Sequence, residues 1–324
     1  MKNKHFFRKA QTAALISLML LSAAPQLKAT ELFPDDIFVT LRASGQIAKF
    51  GAPTLWQGAP VMLYNAITPD GKRVVVSSPK TTSIYVFDAA TGKVLAQVKV
   101  GKDAKGLKIS PDGKEVYVAN EGAASISIVS LENYALLATI AVDEMPHNIR
   151  FSDDGKLAYV TLQGGAGLGV IDTARRDVLK VIPTPGLFGP HNIDLSKDGN
   201  TAFIRDTSNN VGVLELSSGK MKNIISVGQG HAGIDVSPNG RRVITGAIAD
   251  DYVTVIDANS QEVVKKIKVG FGPHGVRASK DNRWIYVTVT SDDKLVVIDG
   301  QTLDVVTSLD AASFPFWLAV DGNP

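Results

Sequence analysis

The sequence predicts an all-β protein, a seven-bladed β-propeller with four-stranded blades. Two observations lead to this prediction. A tight turn that ends in Asp-Gly, or in a close variant of it, recurs six times at intervals of 41 to 44 residues. Each copy is followed by short β-branched runs, with no segment of helical period between them. Four short strands in about 42 residues are typical of a propeller blade and not of a βαβ unit.

The repeated turns mark one hairpin in each blade, because Asp or Asn followed by Gly tolerates the positive φ of a tight reversal. They are residues 68–71, 110–113, 152–155, 196–199, 237–240 and 279–282. The strand after the turn is β-branched, as in residues 74–76. A third strand then ends in Asp, as in residues 84–88, and a fourth, such as residues 94–98, completes the unit.

The two chain ends are expected to form the last blade. Six blades can be counted between residue 62 and about residue 312. One strand remains at residues 316–320, and three short extended pieces remain at residues 37–42, 46–50 and 54–57. We expect the C-terminal strand to be innermost and the N-terminal pieces to complete a split seventh blade. Such a blade closes the ring and protects its sheet edges.

Residues 1–29 have the pattern of a cleavable export signal. Basic residues occupy positions 2, 4, 8 and 9, an apolar stretch follows at 13–24, and a small-residue cleavage site lies at 27–29. The apolar run of about 12 residues is shorter than the ~20 needed to span a bilayer. We therefore predict a periplasmic, monomeric protein with no membrane span after cleavage, and a single propeller domain over residues 30–324.

Charge and cysteine content narrow the function. Without residues 1–29 the chain has 29 Lys and Arg against 32 Asp and Glu, a net charge of −3. This near-neutral body argues against nucleic acid as a partner. The sequence contains no cysteine, which excludes a disulfide framework, a thiol nucleophile, a covalent c-type haem and a cysteine-ligated cluster. A metal would need His, carboxylate or carbonyl ligands.

Two resemblances follow from these segments. Residues 117–120, 159–162 and 286–289 read Tyr-Val-Ala-Asn, Tyr-Val-Thr-Leu and Tyr-Val-Thr-Val, and they resemble the YVTN-type propeller repeat of exported bacterial and archaeal proteins. Residues 38–48 resemble the opening of the d1-haem propeller of cytochrome cd1 nitrite reductase and its relatives. The second resemblance implies a haem-like tetrapyrrole as ligand. The sequence has no Cys-x-x-Cys-His, which argues against nitrite reduction by this chain alone.

All histidines outside the export signal share one position of the repeat. This position lies eight or nine residues before the end of each repeated turn, in blades three to six. Its occupants are His147, His191, His231 and His274, and the equivalents in three other blades are Leu63, Lys105 and Phe316. In a propeller this is the loop that enters the innermost strand, at one mouth of the central channel. The four imidazoles are therefore predicted to form an arc around that mouth.

The arc has two interpretations. Neutral imidazole is the commonest metal ligand and can also bind haem iron, so the functional interpretation is a cofactor site, with His147, His191 and His274 as candidate metal ligands. His231 lies one residue out of register, which argues against a symmetric site. The structural interpretation is a histidine that was copied with the ancestral repeat and holds no ligand.

A second repeated position carries charge on the innermost strand, where an unpaired buried charge costs several kcal/mol. Its charged occupants are Lys108, Arg150, Asp194, Asp235 and Arg277, with Ala66 and Ala319 in the remaining blades. We expect them to face a water-filled channel. One interpretation is a ring of ion pairs between the two arginines and the two aspartates. The other is that the arginines bind acidic groups on the rim of a tetrapyrrole.

Three aromatic residues near the C-terminus admit two roles. Phe314, Phe316 and Trp317 could offer a flat apolar wall to a planar ligand. They could equally pack the split blade where the ring closes. Together with the four histidines, Arg150, Arg277 and Lys105, the aromatic pair Phe316 and Trp317 completes the predicted cofactor-binding set.

These observations predict an exported binding module with a ligand at the His-lined mouth. The expected ligand is a haem-like tetrapyrrole or a His-ligated transition metal, and a periplasmic partner protein could share in its handling. No nucleophile stands out, so binding is favoured over catalysis. Two alternatives remain: a protein-interaction or nucleic-acid-binding scaffold without a cofactor, and a redox or lactonase-like enzyme that uses the same mouth.

Overall fold

The computed structural model describes residues 29–50, 54–165 and 167–323. Its described part contains seven antiparallel sheets of four strands each. The predicted fold class, a seven-bladed β-propeller, is confirmed. The predicted export signal lies, apart from Ala29, outside the described residues. Within the described ranges, no helix is long and apolar enough to cross a bilayer.

The innermost strands form a closed ring in which each strand contacts the next, and the last contacts the first. Their ring surrounds the central channel. They are β4 (Asn65–Ile67), β8 (Ala104–Ile109), β12 (Pro146–Phe151), β16 (Pro190–Leu195), β20 (Ile234–Val236), β24 (Pro273–Ala278) and β28 (Pro315–Val320).

The second strands are buried, because each lies between the first and third strands of its own blade and packs against neighbouring blades. They are β1 (Ile37–Leu41), β5 (Arg73–Ser78), β9 (Glu115–Asn120), β13 (Leu157–Leu162), β17 (Thr201–Asp206), β21 (Arg242–Thr245) and β25 (Trp284–Val289). Aromatic contacts join adjacent blades here. Tyr117 of β9, for example, meets Phe151 of the next blade edge-to-face, with centroids 4.9 Å apart.

The third and fourth strands lead outward to solvent. The third strands are β2 (Gln46–Phe50), β6 (Ser83–Asp88), β10 (Ser125–Ser130), β14 (Gly167–Asp172), β18 (Asn210–Glu215), β22 (Tyr252–Asp257) and β26 (Lys294–Asp299). The outer strands are β3 (Thr54–Gln57), β7 (Val94–Lys99), β11 (Leu136–Ala141), β15 (Asp177–Pro183), β19 (Lys220–Ser226), β23 (Val263–Lys268) and β27 (Val305–Asp310). Blades 1 to 6 are β4–β7 through β24–β27 in chain order, and blade 7 is β28, β1, β2 and β3.

Blade 7 closes the ring with strands from both chain ends, as predicted. Its order is β28-β1-β2-β3, and in the antiparallel register Ile37 lies opposite Val320 and Val39 opposite Leu318. All four of these side chains are buried. A closed ring leaves no inner sheet edge open to another chain.

The repeated turn is stabilised by its own Ser and Asp side chains. In blade 2 the Ser110 hydroxyl donates to Asp112 at 2.6 Å and accepts from the backbone N–H of Glu115 at 3.0 Å. Gly113 then adopts φ +73°, a conformation that costs glycine little. The same Ser-to-Asp bond occurs in blades 3, 4 and 6, so this turn recurs for a local reason.

Three short helical pieces complete the described chain. Two 3₁₀ helices, Pro79–Thr81 and Glu121–Ala123, connect second and third strands. The helix α1 (Ala29–Leu32) precedes β1 and docks on blade 6. Trp284 Nε1 donates to the carbonyl of Glu31 at 2.8 Å, and the Tyr286 hydroxyl donates to that of Leu32 at 2.6 Å. The start of the described chain is thus fixed to the propeller.

Candidate functional site

Bulges at the start of the inner strands orient the histidines. His147, His191 and His274 are each the second residue of an inner strand, not part of the preceding loop as the sequence suggested. At these positions the pairing with the second strand shifts register. A bulge bends a strand and redirects its side chains. The three imidazoles are consequently buried at the channel mouth, with exposed fractions of 0 to 5%.

His231 reaches the same mouth by a different route. It precedes the short strand β20 and is only partly buried. The fully buried guanidinium of Arg205 holds the loop before it, because Nη2 donates to the carbonyls of Gly228, at 2.6 Å, and Gly230. Arg205 also pairs with Asp206, Nη1 to Oδ1, at 3.1 Å. This anchor adds to the backbone hydrogen bonds that the loop makes to Ile248 and Ala249.

Six aromatic rings form a closed circle at this mouth, which we call the aromatic cup. They are the rings of His147, His191, His231, His274, Phe316 and Tyr64. Each ring contacts the next, and Tyr64 joins the two ends of the His arc through Phe316. The centroid separations are 3.8 Å from His147 to His191, 4.6 Å from His191 to His231, 5.3 Å from His231 to His274, 4.1 Å from His274 to Phe316, 5.6 Å from Phe316 to Tyr64 and 5.6 Å from Tyr64 to His147.

Two histidines of the aromatic cup each have one ring nitrogen bonded and the other without a partner. His191 Nδ1 lies 2.7 Å from Gln163 Oε1, and His274 Nδ1 lies 2.9 Å from the carbonyl of Phe316. Since both partner atoms are acceptors, each Nδ1 carries the proton. The Nε2 atoms are therefore acceptors, and both are buried without a hydrogen-bond partner among the described residues. Buried polar atoms of this kind require an explanation.

Three of the four histidines converge closely enough to share one ion. Ring nitrogens of His191, His231 and His274 all lie within 4.8 Å of one another. Burial lowers the pKa of His191 and His274 well below the usual range, and it lowers the pKa of His231 to about 4. All three rings are therefore neutral at pH 7, the form that binds metal.

His147 is bonded on both sides. Its Nδ1 lies 2.8 Å from Glu121 Oε2, and its Nε2 lies 2.8 Å from the Tyr64 hydroxyl. Burial lowers the pKa of His147, and the bond to Glu121 partly offsets that effect. The geometry thus differs from the predicted metal set of His147, His191 and His274, because His231 takes the place of His147.

Two cations lie next to the aromatic cup. Lys105 stands in the histidine position of blade 2 and pairs with Asp103, Nζ to Oδ1, at 3.4 Å. The guanidinium of Arg42 lies over Phe314 and Phe316, 5.4 and 5.7 Å from their centroids.

Two phenylalanines precede the cup in the chain. Phe188 and Phe271 each lie three residues before a histidine of the cup, and their exposed fractions are 77% and 63%.

The repeated position that carries charge on the innermost strands forms ion pairs in the channel interior. Arg150 Nε lies 2.7 Å from Asp194 Oδ1, and Arg277 Nη1 lies 3.2 Å from Asp235 Oδ1. The carboxylates of Asp194 and Asp235 are almost fully buried, with exposed fractions of 2% and 1%, although the sequence suggested that they face water. Asp194 also accepts from the backbone N–H of Val236 at 2.7 Å. Both arginines therefore form ion pairs with aspartates of the protein itself.

Two buried side chains at this charged position, Lys108 and Asp235, have shifted pKa values. Burial, and then the neighbouring Arg150 and Arg277, lower the pKa of Lys108 well below the usual range. Burial raises the pKa of Asp235 to about 6, against the lowering effect of Arg277. Lys108, Arg150, Asp194 and Arg277 line a small cavity. Burial therefore disfavours the charged form of both side chains.

The C-terminal aromatic pair packs inside the channel. Trp317 contacts Tyr64 at a centroid separation of 4.7 Å, and the Arg277 guanidinium lies 5.3 Å from its ring centroid. Both Phe316 and Trp317 are buried. Phe316 belongs to the aromatic cup and Trp317 lies beneath Tyr64 in contact with it, so closure of blade 7 and construction of the mouth use the same residues.

Sequence reasoning missed several residues of the mouth. Phe188 and Phe271 carried a signal, since Phe-Gly-Pro-His occurs at 188–191 and again at 271–274. Tyr64 carried a weaker one, because it follows the histidine position of blade 1 by one residue. No sequence signal indicated Glu121, Gln163 or Arg42, since they reach the mouth from other strand connections.

Comparison with known proteins supports a specific likeness. Residues 248–316, which include His274 and Phe271, match the family model of the cytochrome D1 heme domain. The chain is a β-propeller similar to the cytochrome D1 heme domain. The predicted relation to d1-haem propellers is confirmed in this sense. Assignment of the repeats to the YVTN type stays a prediction. No curated protein matches the chain.

Solved structures share the fold over most of the chain. Hydrazine synthase of Kuenenia stuttgartiensis is 21% identical with a TM-score of 0.73, over 81% of this chain and 90% of that chain. A functionally unknown protein from Desulfotomaculum acetoxidans is 18% identical with a TM-score of 0.77, over 90% and 100%. Dihydro-heme d1 dehydrogenase NirN, solved in complex with DHE, is 18% identical with a TM-score of 0.70, over 94% and 79%.

Proposed function

We propose that this protein is an exported, periplasmic binding module that holds a metal-bearing tetrapyrrole at the aromatic cup. The observation that carries the proposal is the pair of buried Nε2 atoms of His191 and His274 at the channel mouth, which have no hydrogen-bond partner in the part of the chain that the structure describes. The match of residues 248–316 to the cytochrome D1 heme domain supports a tetrapyrrole as the ligand class.

The residues at the mouth suit such a ligand. Exposed Phe188 and Phe271 offer apolar area to a planar macrocycle, and Arg42 and Lys105 offer cations to its carboxylates. His231 is the least buried imidazole, so it is the natural candidate to reach the iron. When bound, the iron would supply Lewis-acid or redox chemistry at the mouth. The protein would supply orientation, an apolar rim and a neutral imidazole.

Burial of the histidines also bears on the scaffold alternative. His147, His191 and His274 are packed, as a purely structural role would require. A structural histidine, however, satisfies both ring nitrogens or exposes one to water, since a buried unpartnered polar atom costs about 1–3 kcal/mol. His147 meets this requirement, whereas His191 and His274 do not. A binding role is therefore the better account of these two residues.

The experiment is a titration of the protein with iron protoporphyrin IX, followed by its visible absorption. We expect one tetrapyrrole per chain with a shifted Soret band. Phe188→Ala combined with Phe271→Ala should weaken binding about tenfold or more, because each buried Phe contributes about 1.5–3 kcal/mol. Val264→Ala, on the exposed outer strand β23, is the control.

Metal-free protoporphyrin IX separates the affinity due to the iron from the affinity due to the macrocycle and its carboxylates. It keeps the apolar and carboxylate contacts but lacks the iron that an imidazole could bind. We expect His231→Gln to weaken binding of the iron form and to leave that of the metal-free form unchanged. Absence of saturable binding by either form would contradict the proposed function. Export itself is tested by N-terminal sequencing of the secreted chain, with cleavage expected after Ala29.

A further inference from the structure

We infer that His191, His231 and His274 form a trihistidine site for a bare divalent transition-metal ion, such as Zn²⁺, Co²⁺ or Cu²⁺. This deepens the proposed function and rests on the same mouth, but it does not require a tetrapyrrole. Ring nitrogens of the three residues lie within 4.8 Å of one another. Three imidazole ligands with an open fourth position are a recurrent zinc site.

The number of converging rings distinguishes a bare ion from the iron of a tetrapyrrole. The macrocycle occupies the plane of its iron, so each face offers one axial position to the protein. A single imidazole would satisfy that position. Three nitrogens within 4.8 Å exceed this need and match the several ligands that a bare ion takes from one side.

The surrounding hydrogen bonds have the arrangement expected around metal-bound histidines. A ligating imidazole usually donates its other N–H to a carbonyl or carboxylate oxygen, which fixes the ring and its tautomer. Here Gln163 Oε1 accepts from His191 Nδ1, and the carbonyl of Phe316 accepts from His274 Nδ1. Both Nε2 atoms are left as lone-pair donors, buried and without a hydrogen-bond partner within residues 29–50, 54–165 and 167–323.

The charges near the three rings bear on what could fill the open coordination position. Three cations, Arg42, Lys105 and Arg205, lie close enough to act on His231, and so does the carboxylate of Glu121. These cations favour an anion, such as hydroxide or a carboxylate, at the open coordination position.

The test is a titration of metal-free protein with Co²⁺, followed by its visible ligand-field absorption and by displacement with Zn²⁺. We expect one Co²⁺ per chain and competitive loss of the bands on adding Zn²⁺. His231→Gln removes the most exposed ligand and should weaken Co²⁺ binding at least about 100-fold. His147→Gln should weaken Co²⁺ binding by a factor at least about ten times smaller than the factor for His231→Gln, since both His147 nitrogens are bonded within the protein.

A matched pair of glutamines tests the positioning role without removing a ligand. Gln163→Ala should weaken Co²⁺ binding about 10–100-fold, because His191 loses the acceptor that orients it. Gln229→Ala makes the same change on the exposed loop before His231 and should leave the affinity unchanged. Thermal unfolding of each variant shows whether it is folded. Equal effects of the two glutamine variants would contradict the assignment.

Two titrations of the wild-type protein keep this inference separate from the proposed function. Binding of Co²⁺ without binding of iron protoporphyrin IX would overturn the tetrapyrrole and support the ion site. Binding of iron protoporphyrin IX without stoichiometric Co²⁺ or Zn²⁺ would overturn the ion site and leave the tetrapyrrole. If both bind, Zn²⁺ should compete with the iron for His231 and reverse the shift of the Soret band. A larger loss of Co²⁺ affinity in His147→Gln than in His231→Gln would also overturn this ligand set.

Discussion

His274 and Phe316 are joined by two interactions at once. The imidazole stacks on the phenyl ring, with centroids 4.1 Å apart and planes at 29°, and its Nδ1 donates to the carbonyl of Phe316 at 2.9 Å. Phe316 lies on β28, the strand that closes the ring. Closure of the propeller and orientation of a candidate ligand therefore depend on the same residue.

Phe316→Leu tests the stacking half of this relationship. The backbone carbonyl remains, so the bond to His274 Nδ1 is kept, while ring contacts with His274 and Tyr64 are lost. We expect the free energy of unfolding to fall by about 1–2 kcal/mol, measured by urea denaturation. Val306→Ala, on an exposed outer strand, is the control and should change it by less than about 0.5 kcal/mol. An unchanged stability for Phe316→Leu would contradict the packing role.

Deletion of residues 315–323 tests the closure itself. Without β28, strand β1 loses its inner partner, and strands β4 and β24 lose their neighbour in the inner ring. We expect loss of cooperative thermal unfolding and a tendency to aggregate, because a sheet edge becomes exposed. A synthetic peptide of the deleted sequence should restore a cooperative transition, whereas a scrambled peptide should not. A cooperative, monomeric deletion variant would refute split-blade closure as a requirement.

The ion pair between the partly exposed Arg150 and the buried Asp194 should behave as a unit. Arg150→Met leaves the Asp194 carboxylate buried without its guanidinium, and breaking a buried pair costs about 3–5 kcal/mol. Because Asp194 also accepts two backbone N–H groups, we expect a loss near about 3 kcal/mol. Arg150→Met with Asp194→Asn should recover part of it. Additive effects in this double-mutant cycle would show that the pair is not coupled.

The neutral histidines predict that stability falls as the solution becomes acidic. His191 and His274 have pKa values far below those of the unfolded chain because they are buried. Below pH 6.5 the unfolded state then binds more protons than the fold, so each residue reduces the free energy of unfolding by about 1.4 kcal/mol per pH unit.

Asp235 acts in the opposite direction. Its pKa is raised to about 6, so its contribution to stability is lost as the pH rises through that value.

Comparison with His274→Gln isolates the histidine effect. In metal-free protein, urea unfolding between pH 7 and pH 5 should show a shallower decline for this variant than for the wild type, because one proton-binding group is removed from the unfolded chain. Equal slopes would mean that His274 takes up its proton over the same pH range in the fold as in the unfolded chain, and this would contradict a buried, metal-ready imidazole.

Local sequence was sufficient to predict the fold. The Ser-x-Asp-Gly turn forms its own hydrogen bonds within five residues, so its recurrence reveals the blades without tertiary information. The position of the histidines in the repeat likewise predicts that His147, His191, His231 and His274 lie at one mouth, because a propeller brings equivalent positions together.

The chemistry within the mouth depended on residues distant in sequence. His231 lies one residue out of register in the repeat. Its ring nitrogens nevertheless converge with those of His191 and His274, because Arg205 anchors the loop before it. His147 was expected to bind metal, but Glu121 and Tyr64 occupy both of its nitrogens. Arg205 and Tyr64 belong to other blades, so the spacing of the repeat gave no indication of either contact.

We propose that the neutral imidazoles of the aromatic cup bind a metal or a metal-bearing tetrapyrrole. The most direct measurement is elemental analysis together with a visible spectrum of the exported protein, purified without added metal, for the wild type and for His191→Gln with His231→Gln and His274→Gln. We predict one metal per chain, or a Soret band, in the wild type and neither in the folded triple variant. A colourless, metal-free wild type that takes up neither Co²⁺ nor iron protoporphyrin IX would contradict it.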